Sequence, residues 1–345
     1  MNRSLISKAT ILGISGLLCL SLFSCKASKK PVVKSVENGV PIVERYGQLR
    51  VEGANLCNEK GEPVQLRGMS SFGLQWAGKY VNKDVMQWVR DDWNATLWRS
   101  AMYLTSGGYI GNKGQKRIVY SSIEDAKALG IYVIADWHVL GDKDPLLYEE
   151  QAIEFFDELS KLYGDCPNLI YEICNEPNGE DVTWEGNIKP YAEKIIEVIR
   201  KNDPDNIIIV GSPNWSGDLF PALKSPITGQ KNIMYTFHFY AGSHAKKISM
   251  VRHCVKHGMP VFITEWGTTK DSGDGGVFEK ETLKWMDLCE QYNISWANWS
   301  INSKGEDSGI LQYNADKDAK GGWTEKELSK SGIFVRKILR GEVEK

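Results

Sequence analysis

The fold is decided between Tyr132 and Asn175. This segment opens Tyr132-Val133-Ile134-Ala135-Asp136-Trp137-His138, crosses a polar loop containing Gly141 and Pro145, and enters a stretch from Tyr148 to Tyr163. It closes Leu169-Ile170-Tyr171-Glu172-Ile173-Cys174-Asn175. The two outer runs are apolar at nearly every position instead of alternating, as strands covered on both faces are. The stretch between them reads as a helix, so the segment is one strand–helix–strand unit.

Outward from this unit the same alternation recurs. Strands are predicted at Val64–Ser70, Ala95–Met102, Ile207–Gly211, Met234–Tyr240, Val261–Glu265 and Trp296–Ile301. Helices are predicted at Lys83–Asp91, Ser121–Leu129, Ile188–Asn202, Lys246–His257, Glu279–Tyr292 and Glu325–Leu339, with only a short one after the fifth strand. The helices are amphipathic: Ile195, Ile196 and Ile199 share a side between Lys194, Glu197 and Arg200. Leu49–Val51 and Asn55–Cys57 read as a short hairpin ahead of the first strand. Eight βα units predict an α/β protein, a (β/α)8 TIM barrel with a short N-terminal β-hairpin. An open doubly wound sheet is the competing topology, but no strand leads into the Gly-rich phosphate loop that such sheets carry.

The chain has 345 residues, 42% hydrophobic and 25% charged, which excludes a disordered polymer. Net charge is −2, yet Arg3, Lys8, Lys26, Lys29, Lys30 and Lys34 stand in an N-terminal segment without an acid, so the body is acidic. A nucleic-acid partner needs a concentrated basic face, and none is expected. Arg3 and Lys8 precede an apolar run from Ala9 to Phe23 that ends Leu22-Phe23-Ser24-Cys25. A charged start and a run too short to span a bilayer describe an export signal. The Leu-x-Ser-Cys ending resembles the lipobox of bacterial lipoproteins, in which the Cys is acylated; a plain secretory signal is the alternative. The expected organisation is a signal over residues 1–24, a polar tether over 25–45 beginning at lipidated Cys25, and the barrel over 46–345. This places the protein in the cell envelope, on the outer membrane or cell surface or secreted, held to the membrane by lipid alone. The five remaining cysteines (Cys57, Cys166, Cys174, Cys254 and Cys289) form neither a zinc motif nor a disulfide framework.

In barrels of this kind the reactive groups gather at the C-terminal ends of the strands. Those ends carry Arg99, His138, Asn175 with Glu176, His238 with Tyr240, Glu265 and Trp299. Successive members stand one βα unit apart, except that the step from Glu176 to His238 spans two. Six strands therefore aim polar or aromatic side chains at one mouth. Glu176 and Glu265 each end an apolar strand, where an unpartnered carboxylate is costly. Paired carboxylates cleave glycosidic bonds, one protonating the leaving oxygen while the other attacks the sugar or activates water. Trp76, Trp215 and Trp299 follow or end strands one, five and eight, where indole rings can stack on the C–H faces of a pyranose.

Ile173-Cys174-Asn175-Glu176-Pro177 resembles the Asn-Glu-Pro signature of clan A retaining glycosidases. Together with Trp98-Arg99-Ser100, Ala135-Asp136-Trp137-His138, His238-Phe239-Tyr240, Ile263-Thr264-Glu265-Trp266-Gly267 and Trp296-Ala297-Asn298-Trp299-Ser300, it is similar to glycoside hydrolase family five, in particular its bacterial endo-β-1,4-glucanases. The resemblance implies that Glu176 is the general acid/base and Glu265 the nucleophile, with Arg99 and Tyr240 bonded to Glu265. It implies that Asn175 holds the sugar 2-hydroxyl and that His138 and His238 bracket the catalytic subsite. It assigns sugar contacts to Trp299, Trp76, Tyr103 and Trp215, with Lys304 and Glu306 reaching the next glycone sugar. The expected partner is a β-glucan polysaccharide, hydrolysed by a monomer without cofactor or catalytic metal. Mannan and xyloglucan fit the same machinery. A non-catalytic glycan-binding lipoprotein is the alternative from another class, although a binder has no use for a nucleophile and its clamp. Phe72 departs from the pattern, since many relatives have His there.

Overall fold

The computed structural model describes residues 32–315 and 318–343. The predicted leader and Cys25 lie outside the described residues. Eight parallel strands form the wall: β1 (Arg67–Ser71), β2 (Leu97–Tyr103), β3 (Tyr132–His138), β4 (Leu169–Glu172), β5 (Ile208–Val210), β6 (Ile233–Thr236), β7 (Val261–Gly267) and β8 (Trp296–Ile301). Each pairs with its neighbours in sequence, and β8 pairs with β1 through Trp296 opposite Arg67, which closes the ring. The outer layer holds α1 (Lys83–Asp91), α2 (Lys116–Leu129), α3 (Glu149–Tyr163), α4 (Lys189–Arg200), the short α5 (Phe220–Lys224), α6 (Ile248–Lys256), α7 (Glu279–Tyr292) and α8 (Lys330–Arg340). This is the predicted (β/α)8 barrel, and the hairpin stands at Arg50–Glu52 and Asn55–Cys57.

Local chemistry explains the boundaries. The Asn82 side chain accepts from the Val85 amide and starts α1. Val119, Ile123 and Ala126 recur at helical spacing on the buried side of α2, which begins at Lys116, earlier than predicted. α8 begins at Lys330 and not at Glu325, because Ser329 caps it through the Gly332 amide while the Glu327 carboxylate is engaged by Thr324. β4 stops its regular pairing at Glu172, but the Ile173 amide still donates to Ile209 and the Asn175 amide to Trp137, so the chain climbs on to the rim. The predicted strand Met234–Tyr240 is broken. Its His238 amide leaves the ladder and donates to the Ser216 carbonyl at 2.8 Å, and Phe239–Tyr240 then pairs anew with β7.

The tether expected to reach Arg45 is corrected from Val32 onward. Val36–Glu37 and Val40–Pro41 pair across Asn38-Gly39, both at positive φ, and Ile42–Tyr46 is a helical turn with Ile42 buried. Ser35 donates to the Arg90 carbonyl at 2.7 Å, and Asn94 donates to the Val33 carbonyl at 2.8 Å. These contacts fasten the segment beneath the barrel, at the N-terminal ends of the strands. Asn-Gly between β-formers is a hairpin signal that the polar composition of the segment masked. The five described cysteines are buried. No helix among the described residues is long and apolar enough to cross a membrane.

Closure of the ring depends on small residues where strands approach. A Cβ at Gly68 would lie 1.8 Å from the Leu97 carbonyl oxygen, a backbone atom that cannot swing aside. Gly68→Ala is expected to lower the unfolding free energy by about 3 kcal/mol in urea denaturation. An unchanged midpoint would show that β1 and β2 can separate without loss.

Candidate active site

The barrel mouth opens into a cavity of about 1090 Å³. Of the predicted residues, Glu176, Glu265, His138, His238, Tyr240, Trp76, Tyr103, Trp215, Trp299, Lys304 and Glu306 line it. Arg99 and Asn175 lie one layer deeper and are fully buried.

Arg99 stands in mid-β2 and holds the layer beneath the mouth together. Its Nε donates to Glu172 Oε2 at 2.7 Å, and Nη1 to Glu265 Oε2 and Ser70 Oγ, both at 3.2 Å. Its Nη2 donates to Asn175 Oδ1 at 2.6 Å and lies 2.9 Å from Asp136 Oδ2. Tyr240 donates to the other Glu265 oxygen at 2.8 Å. Both Glu265 oxygens thus accept from fixed donors, which stabilises the carboxylate. Asp136 accepts from His138 Nδ1 at 2.6 Å, leaving Nε2 as an acceptor for the Asn175 amide at 3.3 Å. That amide also donates to the Val139 carbonyl, so its orientation is set.

Glu176 has different company. Among the described residues, its one hydrogen-bonding side-chain partner is His238, whose Nδ1 lies 2.7 Å from Oε1. Burial pushes the Glu176 carboxyl up to about 8; Arg99 opposes the rise, and Asp136 and Glu172 add to it. Burial and the neighbouring Glu176 also raise Glu265, against His238, Arg99 and His138. When the two compete for one proton it belongs on Glu176, because Glu265 has two donors and Glu176 has none committed to its ionised form. Burial lowers His138 to about 3 and His238 to about 4, so both rings are neutral at ordinary pH.

One oxygen of Glu176, one of Glu265 and a nitrogen of His238 lie within 4.8 Å of one another. Three such groups could converge on a cation. Here both Glu265 oxygens hold Tyr240 and Arg99, and the His238 nitrogens hold Glu176 and Thr264, so a metal would have to displace these bonds. The carboxyl spacing is shorter than the roughly 6.5–9.5 Å at which a water is seated between an inverting pair. It fits direct attack by one carboxylate.

The aromatic residues form a belt around this pair. His138 stacks between Tyr103 at 4.1 Å and Trp299 at 5.4 Å, and Phe72 bridges Trp299 and Trp76 at 5.5 Å each. Trp76 is 54% exposed and Trp215 is 53% exposed, so each offers a bare ring face. Lys304 pairs with Glu306 and holds its ammonium 4.2 Å from the centroid of Phe72. Phe72 therefore supplies apolar floor and a cation–π seat in place of a hydrogen-bonding ring. Trp215 sits in a run of left-handed residues, Asn214, Trp215 and Ser216, at φ 58°, 57° and 51°. The Ser216 hydroxyl donates to the Asn175 carbonyl at 2.5 Å and the Trp215 amide to the Pro177 carbonyl at 3.1 Å, which holds this strained turn against the strand end that carries Glu176.

Sequence reasoning passed over Asp136, Glu172 and Thr264, although the quoted motifs contain the first and third. For the two carboxylates the available signal was an acid within an apolar run; Thr264, a neutral hydroxyl in a strand, gave none. Lys247, which lines the cleft and donates to the Gly217 carbonyl, carried no signal at all.

A retaining glycosidase barrel is the class that this fold and carboxylate pair define. Residues 57–305 match the model of cellulase, glycosyl hydrolase family 5, and the chain belongs to that family. It is 52% identical over 307 residues to endoglucanase A of Evansella cellulosilytica, covering 89% of this chain and 62% of that protein. It is 44% identical over 342 residues to endoglucanase 5 of Pectobacterium carotovorum, covering 99% of this chain and 65% of that protein. The chain thus spans a little under two thirds of the length of these curated relatives. The catalytic domain of Thermobifida fusca endoglucanase in complex with cellotetraose superposes with a TM-score of 0.82 at 37% identity, over 86% of this chain and 99% of that one.

The raised Glu176 pKa has a consequence for stability. An unfolded Glu titrates near 4.5 and the folded one near 8, so between these values the folded state retains a proton that the unfolded chain has lost. The resulting stabilisation is full below about pH 4.5 and is lost as pH rises toward 8. Glu176→Gln keeps a donor for His238 and cannot ionise. Its Tm is expected to exceed that of the wild type by a margin that widens from about pH 5 to pH 8 and then levels off. A margin constant across pH would contradict the assignment.

Proposed function

We propose that the chain is an endo-β-1,4-glucanase that hydrolyses internal bonds of cellulose or mixed-linkage β-glucan with retention of configuration. The observation that carries the reading is the Glu176–Glu265 pair, within 4.8 Å across the mouth and differently bonded. Glu265, held anionic by Arg99 and Tyr240, attacks the anomeric carbon while Glu176 gives its proton to the leaving oxygen. A covalent glycosyl–enzyme ester forms. Glu176, now a carboxylate, takes a proton from water as that water attacks the same carbon and frees Glu265. Asn175 and His138 position the sugar at the point of cleavage, with Trp299 and Tyr103 against its faces.

Trp76 follows β1 and Trp215 follows β5, which are opposite members of an eight-strand ring. A polymer crossing the mouth meets both, which favours binding along the interior of a chain. Lys304 and Glu306 supply polar contacts on the glycone side, beside Phe72. The relatives named above are endoglucanases, and the Thermobifida structure holds cellotetraose, a β-glucan fragment.

Wild-type protein is expected to release reducing sugar from carboxymethylcellulose, and Glu265→Ala to release none. Glu176→Gln is expected to lose about 10²–10⁴-fold on glucan while sparing glycosylation by aryl glycosides with good leaving groups. Equal loss on both substrates would remove Glu176 from the acid role. The kcat/KM profile is expected to fall on the alkaline side near pH 8, as Glu176 loses its proton, and on the acid side above the usual carboxylate range, as Glu265 gains one.

The proposal extends to location. The basic start, the apolar run and the Leu22-Phe23-Ser24-Cys25 ending support export and acylation of Cys25, with a monomeric barrel tethered at the cell envelope. Cys25→Ser is expected to shift the protein from the membrane fraction to the soluble one at unchanged specific activity. Retention in the membrane would exclude the lipid anchor.

A further inference from the structure

Thr236 on β6 and Thr264 on β7 are fully buried, and their hydroxyls are 2.6 Å apart. Thr264 Oγ1 also lies 2.6 Å from Glu172 Oε1 and 2.8 Å from His238 Nε2. A hydroxyl has one proton to give and two lone pairs to receive with, so the direction of every bond in this cluster can be worked out.

Glu172 is the starting point. Burial raises its carboxyl above the usual range, and Arg99 opposes that with bonds of 2.7 and 3.2 Å, one to each oxygen. The two guanidinium bonds keep it an acceptor, and the Thr264 hydroxyl donates to it. Thr264 then has no proton left for its other two neighbours. Thr236 must donate to Thr264, and His238 must present a protonated Nε2 to it. With Nε2 protonated and the ring neutral, Nδ1 of His238 carries a lone pair. That lone pair points at Glu176 Oε1 from 2.7 Å. Two lone pairs at this distance repel, and the contact is satisfied only when the carboxyl proton sits on Glu176.

We infer that Thr264 is a positioning residue for proton transfer: its hydroxyl, oriented by Glu172 and Thr236, holds His238 in the Nε2–H form and so keeps the transferable proton on Glu176. The inference rests on the acid role proposed for Glu176. It also accounts for the second half of the reaction. Once Glu176 has given up its proton it faces an unprotonated Nδ1 and not a donor, which makes the carboxylate a better base toward the incoming water. The device stores nothing and moves nothing; it withholds a hydrogen bond from one ionisation state.

The charged and titratable groups facing this cluster come from several strands. Arg99 arises on β2, Asp136 and His138 on β3, Glu172 on β4, and Glu265 on β7, while Tyr240 follows β6. Tyr103 ends β2, and His244 accepts from the Tyr240 amide beyond it. None of them reaches Thr264 Oγ1 apart from Glu172, so removing that hydroxyl changes one set of bonds. In Thr264→Val the methyl replaces the hydroxyl at nearly equal volume, and His238 is free to carry its proton on Nδ1. It can then donate to an ionised Glu176, which favours the carboxylate.

The test compares Thr264→Val with Thr264→Ser, which keeps the hydroxyl. In Thr264→Val the alkaline limb of kcat/KM on soluble glucan is expected about one pH unit lower than in wild type. Thr264→Ser is expected to retain the wild-type limb, and aryl glycosides with good leaving groups to show no change in the glycosylation step for either variant. An unshifted limb in a folded Thr264→Val would overturn the inference. A second readout is independent of turnover: long-range ¹H–¹⁵N spectra of histidine-labelled protein report the tautomer directly. Wild type is expected to show His238 in the Nε2–H form, and Thr264→Val to lose it. A wild-type His238 in the Nδ1–H form would sink the proton assignment even if the enzyme is active. Absence of glucan hydrolysis with the Nε2–H form intact would instead count against the proposed function alone.

Discussion

A single guanidinium organises the interior of the upper barrel. Arg99 is fully buried and touches Ser70, Asp136, Glu172, Asn175 and Glu265, which come from β1, β3, β4, the segment just beyond β4, and β7. A buried cation without partners is prohibitively costly, and Arg99 has three carboxylates around it. Charge balance is therefore exceeded on the negative side. A fourth carboxyl nearby, Glu176, is better accommodated neutral, which is the state an acid catalyst requires. The planar fork of Arg supplies five donors in fixed directions, so it can hold Glu265 ionised while also fixing the amide of Asn175. Lysine offers neither the reach nor the geometry.

The layer above this charged cluster is aromatic and lines the cleft, where the one below is polar and sealed. Trp299, His138, Tyr103, Trp76 and Phe72 surround the Glu176–Glu265 pair with rings whose faces suit the C–H surfaces of a pyranose. The turn that presents Trp215 has three consecutive residues in the left-handed region, each costing about 1–3 kcal/mol outside glycine. The bonds of Ser216 to Asn175 and of Trp215 to Pro177 tie that turn to the backbone that carries Glu176. Placement of the Trp215 ring and placement of Glu176 are thus one structural unit, and the break in the strand at His238 serves the same contact.

Much of this was legible in advance, for reasons specific to the elements. The strands were readable because both faces are buried and the apolar runs are unbroken, as at Tyr132–His138. Glu176, Glu265 and the residues at the strand ends were readable because a barrel brings those ends together whatever the loops do. Other features depended on partners distant in the chain. Residues 33–46 look like a polar connector, and their few apolar side chains gain meaning only against Arg90, Asn94 and Gly130, which close the underside of the barrel. Asp136, Glu172 and Thr264 look like odd polar residues inside strands until the ring closes and places them around one arginine and two histidines, His138 and His238.

The amino-acid sequence alone determined the barrel, the order of its strands and the identity of the two carboxylates, because periodicity and strand-end position are local properties of the chain. Which carboxylate keeps a proton was decided only by the tertiary structure. Side chains at sequence distances as large as that from Arg99 to Glu265 set that outcome. Electrostatics in a dry interior follows separation in space, and the chain order carries no record of it until the fold is made.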